Sequence, residues 1–203
     1  VLGLATGRTP ERLYQELIRL HRDEGLDFSR VTSFNLDEYV GLPGDHPQSY
    51  RHFMREKLFR HINIDPAHTH VPDGTAADLQ VECRVYEEKI GAAGGIDLQL
   101  LGLGRNGHIG FNEPTGSLRS RTWLKILSEQ TLRDNSTVFG SFAEMPRHAL
   151  TMGIGTILDA RRCLLLAFGP PKARAVEQMI EGPLSAVCPA SALQMHPRVT
   201  VIV

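Results

Sequence analysis

The chain has 203 residues, of which 22 are Lys or Arg and 23 are Asp or Glu, for a formal net charge of −1 with histidines neutral. That length fits one domain with enough chain to bury a core, and so even a charge balance points to neither a nucleic-acid groove nor a membrane-surface patch. No apolar run approaches a membrane span, and Cys83, Cys163 and Cys188, widely spaced and without paired metal-ligand spacing, fit a reducing cytosol better than a disulfide framework. No secretory leader is visible, and both ends fall inside strand-like apolar runs, so both read as trimmed.

Val1 to Ala5 reads as a short strand that runs into Thr6-Gly7-Arg8-Thr9-Pro10 and then a helix, with Leu13, Leu17, Ile18 and Leu20 as its apolar stripe. Thr9 is expected to cap that helix and Pro10 to take its first position. A glycine turn feeding a helix N-terminus presents backbone N–H groups and the positive end of the dipole, so it is either a well-capped start or an anion site. It is not a Walker A loop, since no Gly-Lys-Ser/Thr follows.

Arg30 to Asn35 reads as the second strand, delivering Asp37 and Glu38 at its carboxyl end. Alone, this pair could be a solvated acidic turn. Neighbours on an extended chain point opposite ways, so only one of the two should face a cleft. His46 to His61 follows as a helix with Phe53, Met54, Leu58 and Phe59 as core residues, and Ile62 to Ala76 as a connecting loop. His68 and His70 in that loop lack a nearby acidic or cysteine partner, which argues against a metal pair. Asp78 to Ile90 reads as a helix closed by Gly91 to Gly95.

Ile96 to Leu103 has the length and composition of a buried parallel strand. It stops in Gly102, Gly104, Gly107 and Gly110, and among these stand Asn106, His108 and Glu113. A strand ending in tight glycine turns delivers polar groups to the carboxyl edge of a sheet, where open α/β folds place their ligands. A His and a Glu five residues apart, with an Asn between the glycines, are suited to moving protons.

Thr122 to Leu127 reads as a strand, Leu132 to Pro146 as an irregular segment and mobile flap, and Thr151 to Ala160 as a helix. Cys163 to Phe168 reads as a buried strand with Cys163 in the core, and Pro170 to Glu181 as a helix. Lys172 in the first turn of that helix opposes the dipole, so ligation of an anion explains it better than structural convenience. Pro189 to Met195 is a short helix before the last strand, Val199 to Val203. Strands alternating with helices throughout predict a single α/β domain over 1–203: a doubly wound, mostly parallel, Rossmann-like sheet with helices on both faces.

Six stretches together resemble the glucosamine-6-phosphate deaminase/isomerase family, which shares its fold with 6-phosphogluconolactonases. They are Leu-Ala-Thr-Gly-Arg-Thr-Pro (4–10), Ser-Phe-Asn-Leu-Asp-Glu-Tyr-Val-Gly-Leu (33–42), His-Pro-Gln-Ser-Tyr (46–50), Gly-Arg-Asn-Gly-His-Ile-Gly-Phe-Asn-Glu-Pro (104–114), Ala-Leu-Thr-Met-Gly-Ile-Gly-Thr-Ile-Leu (149–158) and Leu-Gln-Met-His-Pro (193–197). The lactonase branch typically continues after Gly-His with Thr-Ala-Ser-Leu-Phe-Pro, whereas the continuation here is that of the deaminase branch.

The resemblance implies conversion of glucosamine 6-phosphate and water to fructose 6-phosphate and ammonia in the cytoplasm. It calls for no metal or organic cofactor, and its only partner is a small amino-sugar phosphate. His108 would move the proton that opens the pyranose ring. Glu113 would orient and stabilise the imidazole, and Asn106 would complete the hydrogen-bonded set. Asp37 would carry a proton from C2 to C1. Thr6, Gly7, Arg8 and Thr9 would hold the phosphate, with Lys172 as a point charge.

Three departures stand out. Asn106 occupies a position that is Asp in many members, Arg8 replaces a second glycine common in the turn, and Thr137 stands where many deaminases have a phosphate-binding Arg. Arg8 could compensate for the last, or the preferred substrate could be another amino sugar such as galactosamine 6-phosphate. Some relatives form hexamers activated by N-acetylglucosamine 6-phosphate. Lys125 matches one effector contact but Trp123 replaces an Arg, which argues against that activation. Homo-oligomerisation stays open. The competing readings are a lactone hydrolase with His108 as base, and a sugar-phosphate-sensing module without turnover.

Overall fold

A computed structural model describes residues 1–136, 139 and 144–203, with Asp134 described by its backbone alone. Its strands are β1 (Leu2–Leu4), β2 (Ser33–Asn35), β3 (Asp37–Tyr39), β4 (Thr69–His70), β5 (Leu98–Gly102), β6 (Trp123–Ile126), β7 (His148–Thr151), β8 (Cys163–Leu166) and β9 (Val199–Ile202). Its helices are α1 (Glu11–Glu24), α2 (Tyr50–Lys57), α3 (Leu79–Ala92), α4 (Glu129–Ser136), α5 (Ile154–Leu158) and α6 (Ala173–Ile180).

Six strands form a parallel sheet in the order β4-β2-β1-β5-β8-β9. From β1 the chain winds outward to β2 and β4, then returns to build β5, β8 and β9 on the other side. The order therefore reverses between β1 and β5, and the crevice beyond their carboxyl ends is where such sheets bind ligands. The turn after β1 and the glycine loop after β5 flank that crevice.

Strand β5 fits its central place because Leu100 and Leu101 are almost wholly buried, and α1 closes against the sheet through the fully buried Tyr14. The Tyr14 hydroxyl donates to the carbonyl of Ala5 at 2.5 Å, tying the helix to the strand end just before the Thr6 turn. The Tyr86 hydroxyl does similar work from α3, lying 2.8 Å from the carbonyl of Asn35 and 3.1 Å from that of His70.

A second sheet departs from the expected uniform alternation. Strands β3, β7 and β6 form an antiparallel sheet in that order. Thr151, expected to open a helix, instead ends β7 and pairs with both Asp37 and Trp123. The helix begins only after Gly153, where a Cβ would lie 2.1 Å from the Ser120 carbonyl oxygen.

Other expected boundaries also move. The segment 62–76, read as loop, contributes the edge strand β4. Leu132–Ser136, read as irregular, lies in α4, while the remainder of the expected flap and Thr137 lie outside the described residues or in short turns. Thr9 does not cap α1: Pro10 is the flanking residue and no side chain caps the helix. Lys172 ends a 3-10 turn, Pro170–Lys172, just before α6. Residues Pro189–Met195 are likewise 3-10.

The adjacent acids of β3 divide as an extended chain requires. The Glu38 carboxylate turns away from the crevice and accepts backbone N–H bonds from Tyr39, Tyr50 and Arg51, each at 2.9 Å. It thereby joins Ser49, whose hydroxyl accepts from His52 N, in capping α2. Burial pushes the Glu38 carboxyl above its ordinary range despite those donors. Glu38→Ala should cost about 2 kcal/mol by leaving buried donors unpaired. Thermal unfolding should then fall by roughly 4–8 °C. An unchanged midpoint would show that water replaces the carboxylate at no cost.

Candidate active site

The Thr6 turn bends through Gly7, whose φ of +91° belongs to glycine's region. Beyond it a cavity of about 210 Å³ opens at the crevice, and Thr6, Gly7, Arg8 and Thr9 form one wall. Asp37, His108 and Lys172 line the same cavity from β3, the glycine loop and the turn before α6. Asn106 and Glu113 stand behind His108, so all nine residues expected at the site gather at one sheet edge.

His108 owes its place to missing side chains. A Cβ on Gly104 would lie 2.3 Å from the imidazole ring, so this loop position admits the ring only as glycine. The Gly104 N–H also donates to the His108 carbonyl at 2.8 Å, closing the loop on itself. Asn112 pins the far side, donating to the carbonyls of Ile109 and Met152 at 3.0 and 2.7 Å and accepting from the Trp123 indole at 3.1 Å. Lys125 holds its ammonium 4.8 Å from the centre of that indole.

Behind the imidazole the order of partners differs from the expected one. The Asn106 carbonyl, not Glu113, sits directly on His108 Nδ1, at 2.7 Å. The Asn106 amide donates onward to Glu113 Oε2 at 2.9 Å, and that oxygen is 3.6 Å from the imidazole. A carboxylate only accepts, so the amide nitrogen must face Glu113 and the amide oxygen must face His108. The imidazole proton is then on Nδ1 and the lone pair on Nε2, the arrangement of a general base.

Burial works to raise the Glu113 carboxyl. His108 together with the Thr131, Asn106 and Ser128 groups outweighs it and holds Glu113 below the usual carboxylate range. Among the described residues Asp37 has no such support. It is buried at 6% exposure, and burial with the adjacent Glu38 charge pushes its carboxyl up to about 8. A carboxyl near neutrality in a cleft is suited to accept and return a proton. Gly110 allows the loop to pass beside it, since a Cβ there would stand 3.6 Å from Asp37 Oδ2 and 2.8 Å from the Thr151 hydroxyl.

The cationic side chains facing the cavity are Arg8, Arg105 and Lys172, among the described residues. The Lys172 ammonium donates to the Leu103 carbonyl at 2.6 Å, which anchors it over the end of β5. Three further lining residues were missed by the sequence reading: Tyr50, Thr131 and Asn135. Tyr50 lay within the His-Pro-Gln-Ser-Tyr stretch, and its hydroxyl meets Thr6 and the Tyr39 hydroxyl, the latter at 3.2 Å. Thr131 and Asn135 lie on α4, in or beside the segment read as irregular, where nothing in local spacing marks them.

His70 stacks on Phe34 with ring centroids 4.6 Å apart. Among the described residues no three His, Cys, Asp or Glu side chains are gathered as a metal site, and no helix is long and apolar enough to cross a membrane.

Residues 1–202 match the family model described as glucosamine-6-phosphate isomerases/6-phosphogluconolactonase. The chain is 60% identical over its full length to a glucosamine-6-phosphate deaminase of Hahella chejuensis, covering 77% of that protein. It is 57% identical over its full length to one of Arthrobacter sp., covering 78%. A solved structure of a monomeric glucosamine-6-phosphate deaminase superposes with a TM-score of 0.97 at 52% identity, over 98% of this chain and 83% of that one. A 6-phosphogluconolactonase from Thermotoga maritima shares the fold, with a TM-score of 0.76 at 21% identity over 98% of this chain and 82% of that one.

Proposed function

Because the chain belongs to the glucosamine-6-phosphate isomerase/6-phosphogluconolactonase family, we propose that it converts glucosamine 6-phosphate and water to fructose 6-phosphate and ammonia. The observation that carries this reading is that Asp37 and His108 open onto one cavity. One bound sugar can meet both.

His108 Nε2 takes the anomeric hydroxyl proton and returns it to the ring oxygen, which opens the pyranose to an aldehyde. Asn106 and Glu113 hold the imidazole through this exchange, and the Glu113 charge offsets the imidazolium that forms. Asp37 then removes the proton from C2, and the electron pair moves to give an enol between C1 and C2. Return of a proton to C1 leaves an iminium at C2. Water adds there and ammonia departs. The phosphate lies on the Thr6–Thr9 turn, where backbone N–H groups and the Thr side chains face Lys172 and Arg8. Three buried, unpaired thiols support a cytoplasmic setting.

Ammonia release from glucosamine 6-phosphate tests this directly, run beside lactone hydrolysis and beside galactosamine 6-phosphate. Release from glucosamine 6-phosphate is expected, and hydrolysis of 6-phosphogluconolactone without it would overturn the reading. Lys172→Ala should raise KM roughly tenfold or more, since loss of a phosphate contact weakens ground state and transition state together. A KM within twofold of wild type would remove Lys172 from the site.

A further inference from the structure

The hydrogen bonds behind His108 do not end at Glu113. Its second oxygen, Oε1, meets the hydroxyl of Thr131. Since the carboxylate can only accept, Thr131 donates to it, and the Ser128 hydroxyl, 3.2 Å from the Thr131 oxygen, also reaches Glu113. Ser128 in turn accepts the backbone N–H of Thr131 at 3.2 Å, as the cap of α4. Donors thus converge on Glu113 from two sides: the Asn106 amide on Oε2, and the Ser128–Thr131 hydroxyls on Oε1. The α4 N-terminus adds the positive end of its dipole on the same side.

This convergence matters because Asn106 is uncharged. An aspartate there would accept from either neighbour and leave the imidazole proton on Nδ1 by itself. An asparagine has a donor end and an acceptor end, and nothing in it selects which end faces His108. The backbone N–H of His108, 3.3 Å from the Asn106 oxygen, favours the acceptor end through a long bond, and the carboxylate, 2.9 Å from the amide nitrogen, completes the choice while Oε2 is aimed at it. Glu113 is 4% exposed, so it has no solvent to turn toward, and the remaining control on its orientation is what holds Oε1. Thr131 makes the contact to Oε1 with Ser128 beside it, and at 3% exposure the threonine is itself fixed by packing.

We propose that Thr131 is a positioning residue for ring opening: its hydroxyl aims Glu113 so that Asn106 presents its carbonyl to His108 and the imidazole keeps Nε2 as the base nitrogen. This rests on the reading that His108 opens the sugar ring. The same helix carries Asn135, whose amide donates to the Tyr39 hydroxyl at 3.2 Å. Tyr39 in turn accepts from the Tyr50 hydroxyl, so seating of α4 aligns the proton relay and the Tyr50 wall of the cavity together.

Thr131→Val keeps the volume and removes the hydroxyl, and Thr131→Ser keeps the hydroxyl. Two-bond proton–nitrogen NMR spectra of histidine-labelled protein, with His108 assigned by its absence in His108→Gln, read which ring nitrogen bears the proton. Wild type and Thr131→Ser should show the Nδ1–H form, and Thr131→Val a mixture of both forms. In ammonia release, Thr131→Val should lose roughly tenfold or more in kcat with KM within twofold, a part of the ~10²–10⁴-fold that positioned acid–base groups supply. Thr131→Ser should recover to within about threefold of wild type. Unchanged tautomers in Thr131→Val overturn the proposal even if kcat falls, since the residue would then be structural only. An unchanged kcat overturns it as well. If wild type releases no ammonia, the functional reading fails separately, and the tautomer comparison alone decides the role of Thr131.

Discussion

Asp37→Asn is expected to abolish ammonia release, by about 10³-fold or more, while leaving sugar-phosphate binding near wild type. The amide matches the carboxylate in size but cannot take the C2 proton. The same substitution should stabilise the fold, because burial and Glu38 raise the Asp37 carboxyl from 3.8 to about 8. A carboxyl harder to ionise in the folded chain than in the unfolded one costs nothing below the unfolded value. Its cost grows as pH rises toward the folded value. The unfolding free energy of Asp37→Asn should therefore exceed that of wild type by a margin that widens from pH 5 to pH 8, reaching on the order of a few kcal/mol, and the thermal midpoints should separate in step. The acid limb of kcat/KM in the wild type should follow the same ionisation and rise toward pH 8. A margin that does not change with pH would mean that Asp37 is solvated after all.

His108→Gln carries the second large effect, through a different step. Glutamine can accept or donate a hydrogen bond beside Asn106 but cannot cycle a proton, so turnover of the closed sugar should fall by about 10²–10³-fold. The two variants separate on a substrate that needs no opening. An analogue of glucosamine 6-phosphate lacking both the 4- and 5-hydroxyls can close neither a furanose nor a pyranose ring. With it, His108→Gln should retain nearly wild-type exchange of the C2 hydrogen with solvent, whereas Asp37→Asn should show none. Equal loss of exchange in both variants would place His108 in the C2 chemistry and merge the two devices into one.

Much of this site was legible in sequence because it sits where one pattern meets another. The apolar run of β5 breaks into glycines that admit His108, and the turn after β1 has the glycine and threonines of an anion site. Parallel strands in the sheet interior leave apolar runs, so five of its six strands showed through, while the two-residue edge strand β4 did not. The antiparallel sheet did not. Strand β3 begins two residues after β2 ends, and β7 ends in a Thr-Met-Gly stretch that locally suits a helix start. The pairing of Thr151 with Asp37 and Trp123 is decided by long-range contact, which spacing does not encode.

Order within the proton relay was hidden for a related reason. Spacing put Asn106, His108 and Glu113 in one loop but could not say which side chain touches the imidazole. The answer depends on the acceptor-only character of Glu113 and on Thr131, which α4 brings in from eighteen residues further along the chain. Glu38 was separable from Asp37 by strand alternation alone, yet its task as a cap for α2 became visible only once Tyr50 and Arg51 were placed above it.

The division of labour between an imidazole and a single carboxylate is tested most directly by running the deamination in deuterium oxide and reading the C1 hydrogens of fructose 6-phosphate by NMR. One carboxylate on one face of the enol should place hydrogen at a single prochiral position of C1, so all label acquired in turnover should lie there. Label shared equally between the two positions would contradict a single Asp37 base.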